Sequence, residues 1–132
     1  EMQLNIRPQY HLRKSKDGLL AWQVTRLIEL VKDYPVEWIA IASIAELDEP
    51  HWYLRPSQVP TCRSLLEHMA LVDAADLSYP IIVDSGGRVM DGMHRVCKAV
   101  RVGRHQIAAR RFPVDPEPDF TGVEPDDLPY GE

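Results

Sequence analysis

The densest group of reactive side chains in the sequence is Asp91-Gly92-Met93-His94-Arg95. A strand that ends in Asp-Gly and passes straight into a helix leaves backbone N–H groups unpaired at the helix start, beside the positive end of the helix dipole. That arrangement binds anions. Gly92 allows close approach and a φ value that bulkier residues avoid. Arg95 can give a phosphate two parallel hydrogen bonds. His94 can donate to an oxygen, or shuttle a proton near neutral pH. Asp91, at the strand end, can cap the helix, hold a Mg²⁺ ion or act as a base. The expected phosphate-binding set is therefore Gly92, Met93, His94 and Arg95, with Asp91 and His94 as candidates for catalysis.

Further candidates lie upstream. Glu46, Asp48 and Glu49 follow an apolar run. Glu46 ranks first among them as the group that takes a hydroxyl proton or helps to hold Mg²⁺; the plainer reading of each is a solvated loop acid. Trp52, Tyr53 and Arg55 sit in the proline-rich stretch PHWYLRPSQVP. They could stack on a nucleobase, or pin a long loop to the domain. Arg63, at a helix start, could reach a phosphate or stay on the surface. His68 reads as a structural histidine beside an apolar helix face. Arg110 and Arg111 alternate along a strand, so at most one faces the site.

The elements that must position these groups follow from pattern. Residues 3–17 are polar and basic and read as an arm or loop. Leu20, Val24, Leu27 and Val31 recur at helical spacing, which predicts a helix over 18–33 begun by Asp17-Gly18 and ended before Pro35. VEWIAIAS (36–43) predicts a strand. Thr61 caps a predicted helix to about Leu77, with Leu65, Met69 and Val72 on its buried face and Leu66 and Ala70 beside them. Ile81 to Asp84, a turn at Ser85-Gly86-Gly87, and Arg88 to Asp91 predict a hairpin. Met93 to Val102 predicts a helix closed by Gly103. QIAARRF (106–112) is a last strand, and the five prolines in the final 20 residues predict an extended tail. The expected fold is α+β, a small mixed sheet flanked by helices. It forms one domain, divided into an N-terminal arm and helix (1–35), a core (36–112) and an acidic, proline-rich tail (113–132).

Charge narrows the partners. The 132 residues carry a formal charge of -5, yet seven acids and no Lys or Arg lie in 113–132, so residues 1–112 carry 15 basic and 13 acidic side chains. A mildly positive body suits a small anion. Autonomous DNA binding asks for clustered Lys and Arg and is not expected. No apolar run reaches the ~20 residues that span a bilayer, and the start lacks the basic-then-apolar layout of a secretory signal. Cys62 and Cys97 form no CxxC, and no His or Cys pair has structural-zinc spacing. These features predict a cytoplasmic protein with reduced thiols.

The run PIIVDSGGRVMDGMHRVCKAVRVGRHQIAARRF resembles the core of the ParB/sulfiredoxin superfamily: a proline-led strand, a turn, a strand ending in Gly, a short charged signature opening a helix, and a closing strand. The resemblance covers roughly residues 36–112 and is most diagnostic over 79–112. Sulfiredoxins carry a catalytic Cys directly before the His-Arg pair; here that position is Met93. ParB proteins carry Gly-Glu-Arg-Arg and bind CTP; Gly92 and Arg95 match, while Met93 and His94 replace the middle pair. The signature is most similar to the Asp-Gly-His-His-Arg form of ADP-dependent free-serine kinases in this superfamily, matched by Asp91, Gly92, His94 and Arg95. The resemblance implies a nucleotide- or phosphate-binding domain with ATP, ADP or CTP as ligand. It implies Mg²⁺ as cofactor and phosphoryl transfer or nucleotide hydrolysis as the activity, assisted by Asp91 and a Glu from the region of Glu46. The alternative is a non-catalytic module that senses a nucleotide and meets a protein partner through the acidic tail or the aromatic loop. A DNA-partitioning role ranks third.

Overall fold

A computed structural model of the chain describes residues 10–54 and 58–129. The described residues begin with two strands, β1 (Tyr10–Ser15) and β2 (Gly18–Gln23), paired antiparallel through a tight turn. Helix α1 (Val24–Val31) follows at once. Of the expected arm or loop over 3–17, residues 3–9 lie outside the described residues and Tyr10–Ser15 is corrected to a strand; the first part of the helix expected from 18 is a strand as well. Asp17-Gly18 is a hairpin turn with Gly18 at φ 99°, the geometry that a short hairpin demands and that an Asp-Gly pair supplies. Leu27 and Val31 keep their expected place on the buried stripe of α1.

Strand β3 (Glu37–Ala40) leads into two 3-10 turns, Ile41–Ser43 and Ala45–Asp48. Helix α2 (Cys62–Ala74) is capped by Thr61, whose hydroxyl accepts from Ser64 N at 3.1 Å. Strands β4 (Ile81–Val83) and β5 (Val89–Asp91) form the expected hairpin. Helix α3 (Met93–Arg101) and strand β6 (Gln106–Arg111) complete the core order. The tail adds one two-residue strand, β7 (Phe120–Thr121), and a 3-10 turn at Pro125–Asp127.

The fold is α+β, with two sheets among the described residues. The larger has the order β3-β6-β4-β5; β4 runs parallel to β6 and the other pairs are antiparallel. The smaller has the order β1-β2-β7. Ile81-Ile82-Val83 is apolar throughout because the larger sheet is covered on both faces. Ile81, Val83, Val89 and Ala109 pack against Met93, Val96 and Ala99 of α3. Ile82, Met90 and Phe112 pack against Trp22, Leu27 and Val31. Each large side chain so buried contributes about 1.5–3 kcal/mol.

The tail is tied to the smaller sheet. Trp22 Nε1 donates to Pro116 O at 2.8 Å, and Gln23 N donates to the Asp119 carboxylate at 2.8 Å. Helix α2 departs from its expected burial. Of the residues assigned to its inner face only Val72 is buried, and Leu65, Leu66 and Met69 are exposed. Among the described residues no helix is long and apolar enough to cross a membrane.

Candidate functional site

Gly92 is the hinge between β5 and α3. Its φ of 110° and ψ of 20° reverse the chain without a side-chain cap on the helix. A Cβ at this position would lie 2.6 Å from Ile81 Cγ2 and 3.1 Å from Arg95 Nη2. The glycine is thus required by packing against β4 as well as by its backbone angle. Met93 turns inward to the core. The first bond of the helix runs from Val96 N to Gly92 O at 3.0 Å, so the N–H groups of Met93, His94 and Arg95 precede it.

Arg95 does more than wait for an anion. Its Nη1 donates to the carbonyls of Pro80 (2.6 Å) and Tyr79 (3.1 Å), and its Nη2 pairs with Asp91 Oδ2 at 2.8 Å. The guanidinium therefore locks the entrance of β4 to the exit of β5. The pair is largely covered, each side chain being 17% exposed. A ligand meets Asp91 and Arg95 as one ion pair, with charge close to neutral.

A cleft of about 430 Å³ opens on this turn, within the size range of small-molecule sites. Asp91, Gly92, His94 and Arg95 line it on one side. The apolar wall comes from Ile28 and Val31 of α1, Leu71 and Ala74 of α2, and Ile82. Lys32 and Arg110 bring two further cations to it, and Asp76 a second carboxylate. Arg110 is steadied by its Nε donating to Tyr34 O at 3.1 Å, while Arg111 points away and pairs with Glu37. Strand alternation anticipated that split. Lys32, Asp76 and the α1 wall were not anticipated, because nothing local in the sequence ties them to residue 92.

His94 stands between the cleft and the aromatic loop. Its Nε2 lies 2.9 Å from His68 Nδ1, so the two imidazoles share one hydrogen bond. Trp52 stacks on both rings, at 4.2 Å from His68 and 4.7 Å from His94, with interplanar angles of 12°. Burial, and then the neighbouring imidazoles of His68 and His51 and the Arg95 cation, lower the His94 pKa to about 4. His68 is lowered too, mainly by burial. The pair is neutral near pH 7 and can present either a donor or an acceptor at His94 Nδ1, according to its tautomer.

The other expected residues fall in different places. Trp52 is a neighbour of His94 but not part of the cleft lining. Tyr53 reaches α2 instead, with its hydroxyl 3.0 Å from Ser64 Oγ. Arg63 is exposed on α2, and Arg55 lies outside the described residues. Glu46 is not brought to the turn. It is buried at the far end of β5, where Oε2 accepts from Val89 N at 2.6 Å and lies 3.5 Å from Arg88 Nε. Its Oε1 is buried with no hydrogen-bond partner.

Among the described residues no three His, Cys, Asp or Glu side chains converge in a way that could hold a metal ion. Asp91 Oδ2 is already held by a guanidinium and Asp76 Oδ1 accepts from Ser78 N and Oγ. This donor set does not by itself make a Mg²⁺ site.

No protein-family model matches the chain, and no curated protein or solved structure does. The resemblance to the ParB/sulfiredoxin superfamily rests on the sequence of residues 36–112.

Proposed function

We propose that the chain binds a phosphate-bearing small molecule, a nucleotide being the leading candidate, in the cleft at the start of α3. One observation carries this reading. The unspent N–H groups at the start of α3 follow a left-handed glycine beside a cleft lined by Gly92, His94, the neutral Asp91–Arg95 pair and Asp76, to which Lys32 and Arg110 bring two further cations. Helix N-termini and cations act together on an anion. The phosphate sits on those amides, and Arg95 both holds the turn and neutralises Asp91.

Calorimetry with ATP, ADP, CTP and inorganic phosphate, each with and without Mg²⁺, tests it. At least one should bind, and Arg95→Ala should weaken that ligand about tenfold or more, because it leaves the Asp91 carboxylate uncompensated beside the anion and unlocks the turn. Circular dichroism keeps unfolding apart from lost contact. If no ligand binds the wild-type chain, or Arg95→Ala leaves every affinity unchanged, the reading is wrong.

Phosphoryl transfer to a small hydroxyl acceptor, or hydrolysis of a nucleotide, is the second reading. It is favoured by a neutral His94 at the cleft wall, with His68 behind it to take or return the proton. Phosphate release or transfer that is lost in His94→Asn supports it. Binding without turnover leaves the non-catalytic module.

A further inference from the structure

Strand β6 carries two adjacent arginines with opposite fates. Arg111 spends Nε and Nη2 on the Glu37 carboxylate. Arg110, on the other face, gives only its Nε, to Tyr34 O. Its Nη1 and Nη2 have no hydrogen-bond or ion-pair partner among the described residues. The side chain is half-buried and lines the cleft. A guanidinium keeps its charge at any physiological pH, and its planar fork fits a carboxylate or a phosphate.

The register of the larger sheet fixes where that fork stands. Ile82 is paired with Arg110 on one side and with Asp91 on the other. Residues in register share a face. Arg110, Ile82 and Asp91 therefore form one row across three strands, and all three line the cleft. Two interstrand spacings put the outer Cα atoms roughly 10 Å apart, with the isoleucine between them. The nearby carboxylates do not answer Arg110: Asp91 is taken by Arg95, and Asp76 Oδ1 by Ser78. Lys32 also lines the cleft and is two residues from the carbonyl that holds Arg110. The cleft thus has cations on both sides of an apolar floor.

We propose that Arg110 is a second anion subsite. The cleft takes a small molecule with two anionic groups held apart across Ile82: a phosphate at the start of α3, and a carboxylate or second phosphate on Arg110. This rests on the phosphate reading of the helix start and narrows the ligand class. A nucleotide with a second phosphate or acid group meets the requirement, and inorganic phosphate does not.

Calorimetry with butyl phosphate, 4-phosphonooxybutanoate and butane-1,4-diyl bisphosphate tests it, since the three share one spacer and differ only at the far end. At least one two-anion ligand should bind the wild type about tenfold more tightly than butyl phosphate. Which of them gains tells a carboxylate from a phosphate. Arg110→Gln should bring that ratio close to one, and Arg110→Lys, which keeps the charge without the fork, should retain only part of it. Circular dichroism checks the fold of both variants. In the wild type, the NMR resonance of the Arg110 Nε–H should move with the two-anion ligand and stay in place with butyl phosphate. Equal wild-type affinities for all three ligands overturn the proposal, and so does a ratio that survives Arg110→Gln. If butyl phosphate still binds and Arg95→Ala weakens it, such a result strikes the second subsite alone and leaves the phosphate turn standing. If none of the three binds, both fall.

Discussion

The β4–β5 hairpin has charged groups at both ends, and the two ends are built differently. At its turn, Asp84 is buried and fully spent: Oδ1 accepts from Gly86 N and Arg88 N, and Oδ2 pairs with Arg13 at 2.9 Å. Glu46 accepts from Val89 N beside it, and Arg88 clamps Glu49 through two hydrogen bonds. The guanidinium of Arg88 has its pKa raised, first by that contact with Glu49. At the other end, Asp91 and Arg95 satisfy each other, but the amides of α3 are unspent and a cleft faces them. The same residue types therefore make a structural lock at one end and a candidate binding site at the other. What separates them is the fate of the backbone donors: a carboxylate consumes them at the turn, and none does at the helix start.

Substitutions at the two ends should break this comparison in different ways. The largest effect is expected from Asp84→Ala. It leaves two backbone donors and the Arg13 cation without their acceptor, at a cost of about 3–5 kcal/mol, with the phosphate affinity of the folded fraction unchanged. Urea unfolding measures the first and calorimetry the second; a loss under about 1 kcal/mol would show that the turn is not the lock described.

Gly92→Ala should cost about 3 kcal/mol, since its methyl group meets Ile81 and the backbone angle is disfavoured. Unlike Asp84→Ala, it should also abolish anion binding. Equal loss of stability with full binding would detach the turn from the site.

Acid should act at both ends. His11, near Asp84 and Arg13, is lowered to about 4, first by burial and then by Arg13, and His94 is lowered to about 4 at the cleft. Both prefer to be neutral when folded, whereas the unfolded chain takes up protons below pH 6.5. Stability is therefore complete above about pH 6.5 and falls as the pH drops toward 4, by at most about 3 kcal/mol for each imidazole. A bound phosphate should raise the His94 pKa and leave His11 where it is. Proton NMR titration of both rings, with and without inorganic phosphate, reads this directly, and a parallel shift of the two would erase the distinction between the ends.

Arg95→Lys keeps the charge but cannot span Asp91, Pro80 and Tyr79 at once. A loss of about 1–2 kcal/mol in stability and roughly tenfold in affinity is expected. Lys32→Ala should be the mildest change. Lys32, just past the end of α1, is exposed, and among the described residues it pairs only with Glu29, three residues before it, so stability should stay within about 0.5 kcal/mol. A drop in phosphate affinity with unchanged stability would sharpen the assignment of the cleft.

Much of the architecture could be read locally. The Thr61 cap, the Ser85-Gly86-Gly87 turn, the Gly92 break and the strand 106–112 all carry their signals within a few residues. The β1–β2 hairpin could not be read that way. Leu20, Val24, Leu27 and Val31 match a helix in spacing, yet residues 18–23 are a strand because β1 and β7 offer them backbone partners on both sides. The exposed stripe of α2 has the same lesson from the other direction: periodicity shows that a helix has an apolar face, not that the rest of the chain covers it. Glu46 was legible as an unusual acid but not as a buried partner of Val89 N, 43 positions away.

What the sequence by itself determined is the turn at Asp91 to Arg95. A glycine between strand and helix, and an acid four residues before an arginine, are short-range features, and their chemistry follows from backbone geometry at that spot. Only the tertiary structure decided what faces the turn. Lys32 and the wall of α1, Asp76 past the end of α2, and the stack of Trp52 on His68 and His94 come from four separate segments. They meet because both faces of the larger sheet must be covered, and that burial is non-directional and leaves no mark at residue 92.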